Sequence, residues 1–455
     1  MRLKTTTIVG LALSFVLATG CDELIEDIRG EADADAQVGD VGSDVADVED
    51  TSVDDGHDSS DLVDAADGAG FCDTAETRAH IDGVELSGAI FVGRPALPGG
   101  QYPPEPTVVR DFEEYSDHFS FDGDATGRAD GSVDAGTFVA SGENALAWSV
   151  SLFFVNGGEE ATIVPTGSEV PLDADLARLD GLGGGLLVVP GLAGADEAAR
   201  SDGFDRIRAT LNADGHEDLF FVGSAPASAS VADLSASPTP AYVDFRAASA
   251  ALYVPWLTVA SAADSSATVE VPPGGAVAGI YARTDAARGV WKAPAGTEAE
   301  IRGPQALAVD FDEEDTGAWN QNQINALRTI DGTPVVWGAR TRQDGSPDWT
   351  YVSTRRLAMH IEQSIRAGTR WAAFEPNDEA LWAKLESDVR AFLDGIWRAG
   401  GLQGATEDEA YFVRVDRTTT TEADIQEGRA VVLVGFAATA PAEFVVLRLG
   451  VGAGG

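Results

Sequence analysis

Cysteine, histidine and positive charge are all scarce in this sequence of 455 residues. Two cysteines, Cys21 and Cys72, and five histidines exclude a disulfide framework and any site that needs several thiolates. Lysine and arginine number 30 against 75 aspartate and glutamate residues, so the formal net charge is -45. A surface this acidic repels the phosphate backbone, which excludes nucleic acid as a partner.

Long apolar runs are also missing, apart from one near the amino terminus. Arg2 and Lys4 precede the apolar stretch from Ile8 to Leu17, which is shorter than the ~20 residues that span a bilayer. Small residues then lead to Cys21, in an order that resembles the lipobox of bacterial lipoproteins. We therefore expect residues 1–20 to be a signal peptide and Cys21 to carry a lipid that anchors the protein to a membrane, on the periplasmic or surface side. The alternatives are a plain signal peptide and an apolar start with no targeting role.

The segment that follows, residues 21–70, has almost no groups that could form a core. It contains no aromatic residue, and Arg29 is its one Lys or Arg. Like charges repeat along it every two or three residues, so burial cannot offset the loss of chain entropy. The composition predicts an extended, disordered acidic tether. Its aspartates do not follow the spacing of a calcium-binding loop.

From residue 71 onward the composition is globular, and predicted strands alternate with predicted helices. Apolar runs bounded by turn residues predict strands at Ala89 to Gly93, Thr162 to Pro165, Gly185 to Val189, Asp218 to Val222, Ala250 to Val259, Pro334 to Gly338, Trp371 to Phe374, Tyr411 to Val415, Ala430 to Ala437 and Ala442 to Leu449. Helical spacing predicts helices at Val108 to Phe119, Ala145 to Val155, Asp196 to Leu211, Thr354 to Ala367 and Glu379 to Arg398. The alternation predicts an α/β fold of mixed α+β character, with mixed sheets flanked by helices.

No group of residues matches a catalytic, cofactor or metal site. The glycine runs at Gly183–Gly185 and Gly274–Gly275 lack the lysine and hydroxyl of a phosphate loop, so turns are predicted there. Asn212 to Asp218 resembles part of a calcium loop, but a turn before a strand is favoured. The Glu375 to Glu379 cluster is interpreted as a helix N-cap, formed by Asn377 or Asp378. His360 is expected to be packed or partly exposed on its helix.

Several blocks in the second half of the chain resemble one family. They are Val277 to Asp285, Gly289 to Gly296, Asn325 to Arg328, Val336 to Thr341, Tyr351 to Leu357, Phe374 to Asp378, Leu402 to Thr406 and Pro441 to Val445, with Phe153 to Gly158 and Tyr253 to Trp256 upstream. In this order they are similar to phage tail-sheath proteins and to the sheath proteins of extracellular contractile injection systems. The likeness extends from about Ile81 to Leu449 and is densest after Ala250.

The resemblance implies a structural subunit rather than an enzyme, with no cofactor. Its partners would be other copies of itself, in hexameric rings around an inner tube protein, and a baseplate. It also implies an amino-terminal sheath region at 71–180, a central domain at 181–348 and a carboxy-terminal domain at 349–455. A strand arm at the end would pair with neighbouring subunits, and its residues would be Phe444, Val445, Val446, Leu447 and Leu449.

One departure from the family lies at the amino terminus. Family members begin with a short strand-forming arm, whereas here a leader and an acidic tether precede the retained block Ile81 to Val84. Two interpretations therefore stay open. The chain is either a working sheath subunit, in which case a cytoplasmic contractile particle is the alternative location, or a membrane-anchored lipoprotein that uses the sheath fold as a non-contractile scaffold or binding module.

Overall fold

The computed structural model describes residues 10–12, 81–95, 105–119, 145–261, 267–343, 345–439 and 445–452; residues 10–12 and 445–452 are described by their backbone only. The described residues all belong to one compact unit of the chain, Met1–Leu13 with Ile81–Gly455. Residues 14–80, with the predicted tether and Cys21, lie outside the described residues.

The strands of the described part are β1 (Gly10–Ala12), β2 (Ala89–Gly93), β3 (Thr107–Val109), β4 (Ala161–Pro165), β5 (Gly185–Val188), β6 (Leu219–Ser224), β7 (Ala250–Val254), β8 (Leu257–Ala260), β9 (Thr268–Val271), β10 (Ala306–Leu307), β11 (Asn325–Ile330), β12 (Thr333–Val336), β13 (Tyr411–Arg414), β14 (Arg429–Phe436) and β15 (Val445–Gly452). Each predicted strand has a counterpart among them, except the one at 371–374. The predicted strand at 250–259 is two strands, β7 and β8, because Pro255 between them has no N–H to donate to a ladder.

The helices are α1 (Phe112–His118), α2 (Ala145–Val155), α3 (Asp173–Leu176), α4 (Gly191–Gly194), α5 (Glu197–Leu211), α6 (Ala241–Asp244), α7 (Gly274–Arg288), α8 (Glu313–Gln321), α9 (Val352–Gly368), α10 (Glu379–Arg398), α11 (Glu407–Ala410) and α12 (Glu422–Gln426). The predictions for α2 and α10 agree with the structure to the residue. The helix predicted from residue 108 instead begins after Asp111, whose side chain caps it, while the preceding residues form β3.

An eight-stranded sheet forms the centre, in the order β12-β11-β7-β6-β5-β2-β4-β3. The six inner strands run parallel, and the two edge strands, β12 and β3, are antiparallel to their neighbours. Every residue of β2, β5, β6 and β7 is buried, as expected for parallel strands covered on both faces. One core lies on each face of this sheet. The mixed architecture confirms the predicted fold class.

Helix α7 corrects the prediction of a turn at Gly274–Gly275. These residues form the first turn of α7, which packs on α2. A Cβ atom at Gly275 would lie 2.1 Å from the carbonyl oxygen of Ser149, and one at Gly279 would lie 2.3 Å from that of Phe153. Two glycines one turn apart therefore let the two helix backbones approach closely. A glycine run interpreted only as a phosphate loop or a turn does not predict this packing.

The carboxy-terminal part has its own core, in which α9 and α10 pack with a four-stranded sheet. Residues 371–374 do not form the predicted strand but belong to a 3-10 helix, Arg370–Phe374. The backbone continues turning from the end of α9, with the Ala372 N–H donating to Thr369 and the Glu375 N–H to Ala372. This turning leaves Phe374 at the surface, 91% exposed.

Candidate functional site

The carboxy-terminal sheet has the strand order β1-β15-β14-β13. Strand β14 pairs antiparallel with β15 from Arg429 opposite Gly452 to Phe436 opposite Val445. On its other side β15 pairs with β1, parallel and over three residues. Helix α9 and the 3-10 helix Arg370–Phe374 contact β15. The last strand of the fold is therefore held within its own chain by β14, while its outer edge meets only a short strand in the described part.

The predicted arm residues lie on this strand. Val445, Val446, Leu447 and Leu449 belong to β15, opposite Phe436, Gly435, Val434 and Val432 of β14, and Phe444 lies outside the described residues. Cys21 also lies outside them, so the acylation of its thiol stays a prediction. The four described arm residues thus lie on one continuous strand, and their pairing with another subunit stays a prediction.

Helix α9 carries buried charge on the face that meets the amino-terminal ends of β6 and β7. Arg355 donates from Nε to the hydroxyl of Ser249 over 3.0 Å, and its guanidinium carbon lies 5.0 Å from the ring centroid of Trp349. Glu362 is fully buried, and its carboxylate lies 3.3 Å from the guanidinium of the partly exposed Arg366. The central region and the carboxy-terminal region therefore meet across ionisable groups and not only across apolar ones.

Burial shifts the pKa values of these groups. Desolvation raises the pKa of Glu362 from 4.5 to about 7, although Arg366 and Arg355 oppose the shift, and Glu217 adds to it. Desolvation likewise raises the pKa of Asp218 and lowers those of Arg355 and His360. A carboxyl group that titrates near neutrality at such an interface makes its stability depend on pH.

A second charged contact connects α9 with α7. Arg356 and Asp285 form an ion pair in which Nη1 and Nη2 of Arg356 donate to the carboxylate at 2.9 and 2.6 Å, and their side chains are 1% and 13% exposed. The guanidinium also lies over the ring of Tyr281, whose hydroxyl is 2.5 Å from that of Tyr253. Arg356 therefore joins one aromatic pair and one carboxylate of the central region to the carboxy-terminal helix.

The two polar clusters of the sequence, Glu375 to Glu379 and Asn212 to Asp218, have structural roles. Asp378 caps α10 by accepting from the N–H groups of Ala380 and Leu381, while Asn377 contacts Trp382 and the backbone of Arg429. The segment Asn212 to Asp218 is a turn with Gly215 at φ 89°, which confirms that interpretation. Within the described ranges, no group of three or more His, Cys, Asp or Glu side chains could hold a metal ion.

The polar stripe of α9 was not predicted from the sequence. Arg355 and Arg356 lie within the block Tyr351 to Leu357, which contributed only to the family resemblance, and His360 was interpreted as an isolated side chain. The available signal was the spacing of Arg356, His360 and Ser364, which repeats every four residues and so places all three on one helix face. Their partners Val84 and Leu86 lie 270 to 280 residues away in sequence, which no local pattern shows.

Comparison with known families identifies the fold. The model of the phage tail sheath protein central domain matches residues 187–342, and that of the phage tail sheath C-terminal domain matches residues 344–451. Together they cover more than half of the chain. The chain belongs to the phage tail sheath family. The resemblance inferred from the sequence is thereby confirmed.

Curated members of the tail sheath family share part of their length with this chain. The tail sheath protein of Vibrio phage KVP40 is 31% identical over 134 residues, which is 29% of this chain and 20% of that protein. Across three such relatives the match spans between 20% and 45% of the relative's length.

Solved sheath structures match over nearly their whole length. The anti-feeding prophage helical sheath in its contracted state is 28% identical, and the match covers 85% of this chain and 99% of that chain with a TM-score of 0.63. The contracted sheath complex of PVC, an extracellular contractile injection system, is 26% identical, with 85% and 98% covered and a TM-score of 0.64. In the described part of this sheath-family chain, no helix is both long enough and apolar enough to cross a membrane.

Proposed function

We propose that this protein is the self-assembling subunit of a contractile sheath, of the phage-tail or extracellular injection type, and that it works as a structural element without enzymatic chemistry. The observation that carries the proposal is the likeness to subunits of contracted sheath complexes over nearly their whole length. In this function the subunits stack as hexameric rings around an inner tube and contact a baseplate. The energy of contraction is stored in subunit interfaces, so no cofactor takes part.

Strand β15 supports the self-assembly step. Its outer edge meets β1, and β1 lies inside the predicted signal peptide of residues 1–20. Cleavage before Cys21 would remove β1 and leave the N–H and C=O groups of that edge without this partner. An open strand edge is a template for pairing with another chain. We infer that the edge accepts a strand from a second copy of this protein.

Electron microscopy tests the assembly. The chain that starts at residue 21, with Cys21→Ala to remove the lipid, should form rings or tubes in negative stain. Deletion of residues 441–455 should abolish them, because it removes β15. The matched control deletes only residues 453–455 and leaves β15 whole. A chain that stays monomeric over a range of salt concentrations contradicts the sheath proposal, and polymers that persist without residues 441–455 contradict the role of β15.

We also propose that Cys21 is acylated and anchors the protein to a membrane. The support is the leader that ends in small residues before Cys21. Metabolic labelling with a radioactive fatty acid should mark the wild-type protein and the Cys72→Ala variant but not Cys21→Ala. A Cys21→Ala protein that still fractionates wholly with membranes contradicts the anchor. A labelled protein that forms no polymer favours the second candidate, an anchored scaffold or binding module that does not contract.

A further inference from the structure

The chain enters the folded body through Ile81–Leu86, a segment without regular secondary structure that lies along α9. The N–H of Val84 donates to the Ser364 hydroxyl, and its carbonyl oxygen accepts from His360 Nδ1, both over 2.9 Å. The carbonyl oxygen of Leu86 accepts from Arg356 Nη2 over 3.0 Å. We call residues Ile81–Leu86 the strap.

The strap follows one stripe of α9 in the antiparallel direction. Its three hydrogen-bonding partners, Arg356, His360 and Ser364, repeat every four residues, and the next position of that stripe is Gly368. The side chain of the buried Ile81 lies over Gly368, where an added Cβ would be 2.8 Å from both Cγ1 and Cγ2 of Ile81. We call Arg356, His360, Ser364 and Gly368 the track of α9. The first three form hydrogen bonds with the backbone of the strap, and Gly368 leaves space for the side chain of Ile81.

The strap has fewer backbone hydrogen bonds than β2, the strand that follows it. Beyond Ser87 and Gly88, β2 pairs with β4 and β5 inside the eight-stranded sheet, whereas no strap residue belongs to a β ladder in the described part. Residues Gly83 to Leu86 also line a cavity of about 780 Å³, together with Glu159, Asp285, Trp291 and His360 of α9. Ile81 and Leu86 are buried at the two ends of the strap, but between them it has few backbone hydrogen bonds and borders open space, which is typical of the less stable parts of a fold.

We propose that the strap is a releasable latch, which opens as a unit along α9 while β2 and the sheets stay folded. Docked, it holds Ile81 beside Gly368, at the end of α9. Released, it frees the backbone as far as Leu86, which docks at Arg356, about 18 Å from Gly368 along the helix axis. Any pull on the residues before Ile81 reaches the latch before it reaches β2. The latch thus sets how much free chain lies between the residues before Ile81 and the first strand of the body, β2. This holds whether or not the chain assembles into a sheath.

Hydrogen exchange of the full chain, followed by mass spectrometry, tests the latch with two matched variants. Gly368→Ala places a methyl group against Ile81 and should raise exchange in peptides of residues 81–86 at least about tenfold. Gly395→Ala changes a glycine in α10 at which an added Cβ meets nothing within 4 Å, so it should leave that exchange unchanged. Ser364→Ala removes the acceptor of the Val84 N–H and should act like Gly368→Ala.

Three results would overturn the proposal. Unchanged exchange of residues 81–86 in both Gly368→Ala and Ser364→Ala means that the track does not retain the strap. A parallel rise in peptides of β2 and α9 means that the strap opens only when the body unfolds. An equal rise in Gly395→Ala means that the effect is general loss of stability.

Discussion

Arg356 and Asp285 form a buried ion pair that joins two regions matched by separate family models. Asp285 lies in α7 of the central region, and Arg356 lies in α9 of the carboxy-terminal region. Asp285→Ala should lower the free energy of unfolding by about 3–5 kcal/mol, because it leaves a buried guanidinium without its counterion. Urea unfolding followed by tryptophan fluorescence measures the change.

An exposed pair between the last residue of α7 and the loop that follows it provides the control for this prediction. Arg288 and Glu298 lie 2.8 Å apart with side chains 53% and 64% exposed, and Glu298→Ala should cost at most about 1 kcal/mol. In a double-mutant cycle, Asp285→Ala with Arg356→Ala should cost clearly less than the sum of the single changes. Additive losses would mean that the two side chains do not stabilise the protein through each other.

The buried carboxyl of Glu362 predicts a particular pH dependence. Its pKa rises from 4.5 to about 7 on folding, because burial penalises the charged form. Its protonated form therefore contributes roughly 3 kcal/mol to the free energy of unfolding. This contribution is fully present below pH 4.5 and is lost as the pH rises through 7. Glu362→Gln keeps a neutral group in place, so between pH 4.5 and 8 the variant should gain about that much stability relative to the wild type.

Glu386→Gln is the matched control for Glu362→Gln. Glu386 also pairs with an arginine four residues later, Arg390, at 3.1 Å, but its side chain is 36% exposed. The unfolding free energy of this variant, measured at the same pH values, should follow that of the wild type. If Glu362→Gln also followed the wild type, Glu362 would not titrate near neutrality in the folded protein.

Much of the fold was predictable from local pattern. Glu379–Arg398 combines an N-cap with a long amphipathic repeat, and the strand Ala89–Gly93 is a continuous apolar run, so both were found. Residues 371–374 have the same apolar character as a short strand, but their conformation follows from the end of α9. Helix α7 was missed because its glycines serve packing on α2, which only the tertiary structure shows.

One part of the candidate site was likewise predictable from the sequence, and another part was not. The strand at Val445–Gly452 was found through its alternation and the family resemblance. The strap was not, since Val84 and Ser364 are 280 residues apart and neither is unusual in its own segment. Contacts of a backbone carbonyl or N–H with a distant side chain leave almost no trace in one sequence, because any residue supplies the backbone group.

Asp378 offers a direct test of the capping interpretation. Its carboxylate accepts from two N–H groups in the first turn of α10, at 3.0 and 3.1 Å. Asp378→Ala should lower the free energy of unfolding by about 1 kcal/mol, and Asp378→Ser should restore most of it, because serine is also a good N-cap. Both values come from urea titration. Equal losses in the two variants would show that charge near the helix, and not capping, is what Asp378 provides.

Assembly of so acidic a chain should depend on screening. A formal net charge of -45 makes close approach of subunits costly, and the screening length falls from about 30 Å at 0.01 M salt to about 8 Å at 0.15 M. Light scattering of the lipid-free chain should therefore show little polymer at low salt and a rising polymer fraction towards physiological salt. Sodium chloride and potassium chloride should act equally at equal ionic strength. Assembly in response to divalent cations alone would instead mean that carboxylates of neighbouring subunits share a bridging ion. That result would contradict the prediction that charge screening governs assembly.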